Sequence, residues 1–177
     1  HTPFGHAGER VLNSLISAGF NHYEQSLRIV DVLENDRCGL NLSWEVRDGI
    51  AKHSKGKKGL PVGADPQHRA STLEGQVARV ADIIAYVNHD IDDAIRGGLL
   101  TSAELPVSAI GILGNSSSER IGRMVTDVVL KTLEGGEVEV LMGNEVLEAT
   151  LALRTFLFET VYENSIATAE FKKTSGI

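Results

Sequence analysis

Five side chains with chemical capacity fall within one stretch, RVADIIAYVNHDIDDAIRGG, at residues 79–98. At about 100° per residue for an α-helix, Asp82, Tyr86, His89, Asp90 and Asp93 gather on one side. Val77, Val80, Ile83, Ile84, Val87, Ile91, Ala94 and Ile95 fall opposite. Three carboxylates, an imidazole and a phenol can ligate a metal, move protons or hold a sugar hydroxyl. The same residues opposite an apolar stripe are also what a solvated surface helix shows, and periodicity alone favours that plainer reading.

A second group stands at the beginning of the chain. His6 and Glu9 are three residues apart, on one face if a helix has begun. A carboxylate beside an imidazole favours the charged ring and fixes its tautomer, as a general acid requires. The spacing is common, however, and carries little alone. His1, His6, His22, His53, His68 and His89 make six histidines, three of them within the first 22 residues. Several converging would suit phosphate, to which imidazolium donates; His53 and His68 read as scattered surface residues. No P-loop, G-x-G-x-x-G, C-x-x-C, H-E-x-x-H or G-x-S-x-G motif occurs. Cys38 lies in a turn with no neighbouring base in sequence, which gives thiol chemistry little support.

The elements that must position these groups read as helices. Pro3 and Gly5 favour a turn over the first five residues, and Val11, Leu12, Leu15 and Ile16 mark a helix from Gly8 to Ser17, stopped by Gly19. Asn21 caps a second helix from His22 to about Glu34, and Asn41 or Ser43 a third from Trp44 to about His53. Residues 54–70, with Lys55, Lys57, Lys58 and Arg69 against Asp65, form a basic, mobile loop. Ser71-Thr72-Leu73-Glu74 has capping-box form and opens the long helix, which Gly97 and Gly98 close. After a short Pro-containing linker, GNSSSE at 114–119 is a turn with helix caps, and a helix runs from Ser118 to about Leu133. VEVLMGNE at 138–145 is a short strand or merely extended, and a last helix spans Asn144 to about Asn164. The expectation is an all-α domain of about six helices packed by apolar stripes.

Composition bounds the rest. The 177 residues suit one domain, and 42% hydrophobic with 23% charged content is that of soluble globular proteins. A net charge of −7 argues against general affinity for nucleic acid or membrane surfaces. With one cysteine no intrachain disulfide can form, which points to a cytoplasmic setting. The chain opens without Met, in His-Thr-Pro-Phe-Gly-His, and ends as abruptly, so it reads as a piece of a longer polypeptide, truncated at both ends.

HTPFGHAGE at 1–9, GFNHYEQSLRIVD at 19–31 and VADIIAYVNHDIDDA at 80–94, with GLNLSWEVRDGIAKHS between the last two, resemble the HD-domain deoxynucleoside triphosphate triphosphohydrolases, the deoxyguanosinetriphosphatase-like branch in particular. The likeness covers nearly the whole chain and weakens after about residue 100. It implies a helical, usually oligomeric enzyme that hydrolyses a dNTP, dGTP foremost, to deoxynucleoside and inorganic triphosphate. It further implies a homo-oligomer, open to a nucleotide activator. Residues 1–177 would be a partial HD-type domain.

The resemblance also assigns roles. His6 matches the histidine that protonates the departing 5′ oxygen, and Glu9 its acidic partner. His1 and His22 match histidines lining the phosphates, with Glu24 close by. Tyr86 resembles the tyrosine packed beneath the deoxyribose, leaving no room for a 2′ hydroxyl, and Asp90 the carboxylate that takes the 3′ hydroxyl. Asp82, Tyr86 and Asp90 would span about 12 Å at 1.5 Å per residue, the scale of one nucleotide from α-phosphate to sugar. The basic segment around Lys52, Lys55, Lys57 and Lys58 would meet the triphosphate. A divalent metal of the Mg, Mn or Fe type is implied, of whose ligands this chain matches only Asp82. The family's other ligands, a His and a His-Asp doublet, would precede residue 1, so this fragment alone would be inactive. Two alternatives are another HD-type nucleotide phosphohydrolase and a non-catalytic regulatory or nucleic-acid-binding protein on the same fold.

Overall fold

The computed structural model describes residues 5–53 and 69–162, and it is all-helical, consistent with an HD-domain-like bundle. The described elements are α1 (Gly5–Leu15), α2 (His22–Arg28), α3 (Trp44–Lys52), α4 (Leu73–Arg96), α5 (Val107–Leu113), α6 (Ser117–Glu134) and α7 (Asn144–Leu157). The first helix takes in Gly5, expected in a turn, and its apolar side stays largely exposed at Leu12 and Leu15, as does Ile16 just after it.

Burial is organised by α4. Val80, Ile84, Val87, Ile91 and Ala94 recur at three- and four-residue steps and form the buried stripe. Against it pack Leu100, Leu105, Ala109, Leu113, Met124, Val146, Leu153 and Leu157 from the following helices and connections. Each fully buried side chain of this size contributes about 1.5–3 kcal/mol relative to exposure. Val77, expected on this stripe, is exposed instead.

The stripe is flanked by buried polar groups that periodicity does not reveal. The Asn88 amide donates to the Ile84 carbonyl at 2.8 Å and accepts from the Arg120 guanidinium at 2.8 Å. Arg120 also reaches the Asn115 carbonyl at 2.9 Å and Asp92 at 3.3 Å. A guanidinium with three such partners offsets its desolvation, and this one ties α6 to one rotation of α4. Gln76 gives its amide to the Ala70 carbonyl at 3.1 Å and accepts from the Val140 N–H at 2.9 Å.

Several boundaries depart from the sequence pattern for identifiable reasons. The second helix is regular only to Arg28; a π-helical turn, Ile29–Leu33, follows, and Asn35, Asp36 and Arg37 take positive φ before the chain turns at Gly39. A side chain at Gly39 would strike the Asp31 carbonyl oxygen, 2.1 Å from an ideal Cβ. The N-cap of α4 is Thr72, whose hydroxyl accepts from the Gly75 N–H at 3.1 Å. Ser71, expected as that cap, instead donates from its N–H and hydroxyl to Asp48 at 2.8 and 2.9 Å. The linker after Gly98 contains a helix, α5, which Pro106 immediately precedes as its N-cap. The turn at 114–119 caps a helix as expected, through a reciprocal Ser116–Glu119 capping box, and the helix begins at Ser117. VEVLMGNE forms no strand: its amides are taken by side chains, Leu141 N–H by Thr132 at 3.0 Å and Gly143 N–H by Asp127 at 2.6 Å. The last helix passes into a π-helical turn, Phe158–Tyr162.

Candidate active site

Two clusters collect the residues singled out in the sequence. The first lies on the flank of α4 that borders the core. The five polar residues share one side of α4, as expected, but that side is only partly covered: Tyr86 and Asp90 are half-buried, whereas Asp82, His89 and Asp93 are exposed. The reason is angular: Tyr86 and Asp90 sit within about 100° of Val87 in helical projection, near enough for the next helix to overhang them.

The overhang comes from the end of α7 and its π turn. Arg154, Phe158 and Tyr162 repeat at four-residue intervals, the same step as Asp82, Tyr86 and Asp90. The Tyr162 hydroxyl donates to Asp90, and the Arg154 guanidinium acts electrostatically on the Tyr86 hydroxyl. Arg154 also stands 5.6 Å from the centre of the Phe158 ring, which meets the Tyr162 ring edge-on at 5.0 Å. Both phenols are pushed up from the ordinary tyrosine range. For Tyr86 burial is the main cause, opposed by Arg154 and reinforced by Asp90 and Asp82. For Tyr162 burial leads, with the hydrogen bond to Asp90 next. Both therefore remain neutral hydroxyls at physiological pH, able to donate and to accept. Arg154, Phe158 and Tyr162 were not singled out from sequence; the available signal was the matching four-residue repeat on the last helix.

The second cluster joins α1, α2 and α3. Glu9 accepts from both the His22 backbone N–H, at 2.8 Å, and His22 Nδ1, at 2.9 Å. One carboxylate thus ties α1 to the first turn of α2 and sets the His22 tautomer. The His22 ring meets Tyr23 at 5.7 Å and His53 at 5.4 Å, both edge-on. His53, read as a scattered surface residue, is half-buried and belongs to this cluster. Glu24 is exposed in the first turn of α2. The side chain of His6, together with His1, Lys55, Lys57, Lys58 and His68, lies outside the described residues, as does most of the basic loop. Lys52 is held by Asp48 at 2.7 Å and by the Arg69 carbonyl at 3.0 Å.

The clusters are linked by α3, which packs on α2 on one side and on α4 on the other. At the α3–α4 crossing Gly49 and Gly75 meet; a Cβ on Gly75 would lie 3.2 Å from Gly49 Cα and 2.7 Å from Ala70 Cβ, so glycine permits the close approach. Among the described residues no three His, Cys, Asp or Glu side chains converge as a metal site would need. Asp82, exposed on α4, does not by itself make a metal centre. Among the described residues no helix is long and apolar enough to cross a membrane.

A helical bundle with a Tyr–Asp–Arg cluster on its longest helix and a Glu–His–His cluster beside it defines the class by architecture. Sequence comparison defines the family. The chain is 52% identical over its full length to a deoxyguanosinetriphosphate triphosphohydrolase-like protein of Caldanaerobacter subterraneus subsp. tengcongensis, of which it covers 48%. Proteins of the same name from Desulfatibacillum aliphaticivorans and Clostridium perfringens match it over its full length at 47% and 45% identity, with 50% and 51% of their lengths covered. No family model matches. The chain belongs to the deoxyguanosinetriphosphate triphosphohydrolase-like proteins, and it spans about half the length of the curated relatives it matches.

Proposed function

We propose that the whole protein hydrolyses deoxynucleoside triphosphates to deoxynucleoside and inorganic triphosphate, and that residues 1–177 supply the sugar contacts and part of the phosphate contacts of its site. The observation that carries this reading is full-length identity of 45–52% to relatives named for that activity. The α4 cluster supports it independently. Asp90 has two carboxylate oxygens, so it can take a 3′ hydroxyl while still accepting from Tyr162. Tyr86, half-buried and packed against the core, presents a ring suited to lie beneath a deoxyribose and to clash with a 2′ hydroxyl.

In this reading water attacks the α-phosphorus and the bond to the 5′ oxygen breaks. His6 hands its proton to that oxygen, which leaves as the deoxynucleoside hydroxyl. His22, its tautomer set by Glu9, faces the phosphates together with His1, and Glu24 stands near them. Glu9 also lies one helical turn from His6 and helps keep it protonated. A divalent metal with Asp82 among its ligands would supply charge neutralisation when bound. A homo-oligomer and a nucleotide activator belong to the same reading.

The test is to compare kcat/KM for dNTPs, rNTPs and deoxynucleoside monophosphates on the whole protein. The reading expects dNTPs to be preferred by an order of magnitude or more; equal turnover of monophosphates would instead favour another nucleotide phosphohydrolase on this fold.

A further inference from the structure

We propose that His53 is a positioning residue for His22, a step that rests on the reading of His22 as a phosphate-facing imidazole. His53 terminates α3, and its Nδ1 lies 2.7 Å from the Ile50 carbonyl oxygen. A carbonyl only accepts, so Nδ1 carries the proton and the ring is fixed against its own helix. That fixed ring meets His22 edge-on, with centroids 5.4 Å apart and planes at 76°.

The contact supplies a constraint that Glu9 cannot. The 2.9 Å bond from His22 Nδ1 to Glu9 sets one in-plane direction of the imidazole and leaves it free to rock about that bond. A half-buried ring packed edge-on blocks the rocking and so fixes where Nε2 points. Because α3 is itself locked to α4 by the Gly49–Gly75 approach and by the Ser71–Asp48 hydrogen bonds, the orientation of His22 is registered to the helix bearing Tyr86 and Asp90. His53 thereby couples the phosphate end of the site to its sugar end without touching substrate.

The test uses the whole protein with three substitutions, His53→Ala, His53→Gln and His53→Phe, and two probes: inorganic triphosphate binding by calorimetry, and steady-state kinetics with dNTP. An edge-to-face pair of this kind corresponds to about a two- to tenfold effect. His53→Ala and His53→Gln are expected to weaken triphosphate binding and raise KM by that factor, with kcat at saturation changed less. His53→Phe, which restores a ring edge, is expected to recover most of the loss. A merely structural role would lower the melting temperature without separating Phe from Gln. Wild-type triphosphate affinity in His53→Gln, or a His53→Phe protein as weak as His53→Ala, overturns the proposal. Triphosphate binding is read without turnover, so a protein that binds triphosphate in this pattern yet leaves dNTPs intact would sink the functional reading and keep the positioning role.

Discussion

Residues 8–53 and 69–162 are held together by different means. In the second region the core is continuous: Val87, Ile91, Leu153 and Leu157 are fully buried. In the first no side chain reaches that state, and Leu15 and Trp44 remain 75% and 61% exposed. Its order comes from polar tethers. Arg47 forks onto Asp31 with two 2.8 Å bonds, Asn13 takes the Phe20 N–H at 2.8 Å, and Glu9 clamps His22. The imidazoles and the carboxylate that orients them thus lie in the polar-tethered part, whereas Tyr86 and Asp90 are mounted on the helix with the deepest burial. Substitutions in the first region should therefore act on chemistry with little effect on stability, and core substitutions in the second should do the reverse.

The sharpest break of this contrast is His6→Ala in the whole protein. Loss of a general acid is expected to lower kcat by about 10²–10⁴, with the melting temperature unchanged; intact turnover of every dNTP would remove His6 from the mechanism. Next is Leu153→Ala, which opens a cavity in the centre of the core. Urea denaturation should show a loss of about 2–5 kcal/mol, against about 0.5 kcal/mol or less for Leu15→Ala in the 177-residue chain. Equal losses would mean that the two regions share one core.

Tyr86→Ala is expected to sharpen the assignment of the sugar end by relaxing the preference for dNTP over rNTP about 10- to 200-fold, read as a ratio of kcat/KM values. The smallest effect concerns Asp48 at the junction. Burial alone would raise its pKa, but the Lys52 ammonium and the two Ser71 hydrogen bonds outweigh this and hold its carboxyl below the ordinary aspartate range. Because the folded-state pKa is the lower one, the stability it contributes is present above the ordinary range and is lost as pH falls through the depressed value. Asp48→Asn should flatten that part of the acid limb of a stability–pH curve.

The helical class and most helix bodies were legible because apolar periodicity and glycine punctuation report local structure directly, whereas Glu9, His22, Tyr86 and Asp90 took their roles from the family resemblance, periodicity alone having read the α4 set as a solvated face. Tertiary choices were not legible. Ser71 and Thr72 are both competent caps, and the choice between them is made by Asp48, 23 residues away. The helix at 107–113 was hidden because it is only seven residues long and directly follows a proline. Asn88 and Asp92 gave no sign of Arg120, since buried ion and amide partners leave no periodic trace. Arg154, Phe158 and Tyr162 become recognisable only when their four-residue step is set beside that of Asp82, Tyr86 and Asp90. His53 looked incidental until the fold brought it to His22.

If this chain forms part of a site that cleaves between the α-phosphorus and the 5′ oxygen of a deoxynucleotide, the broken bond is recorded in the products. The position of the cut is tested most directly by incubating the whole protein with dGTP in ¹⁸O-labelled water and following phosphorus NMR and mass spectrometry of the products. Cleavage at that bond yields deoxyguanosine without label and intact inorganic triphosphate carrying one ¹⁸O. Release of pyrophosphate or orthophosphate, or label in the nucleoside, would contradict it.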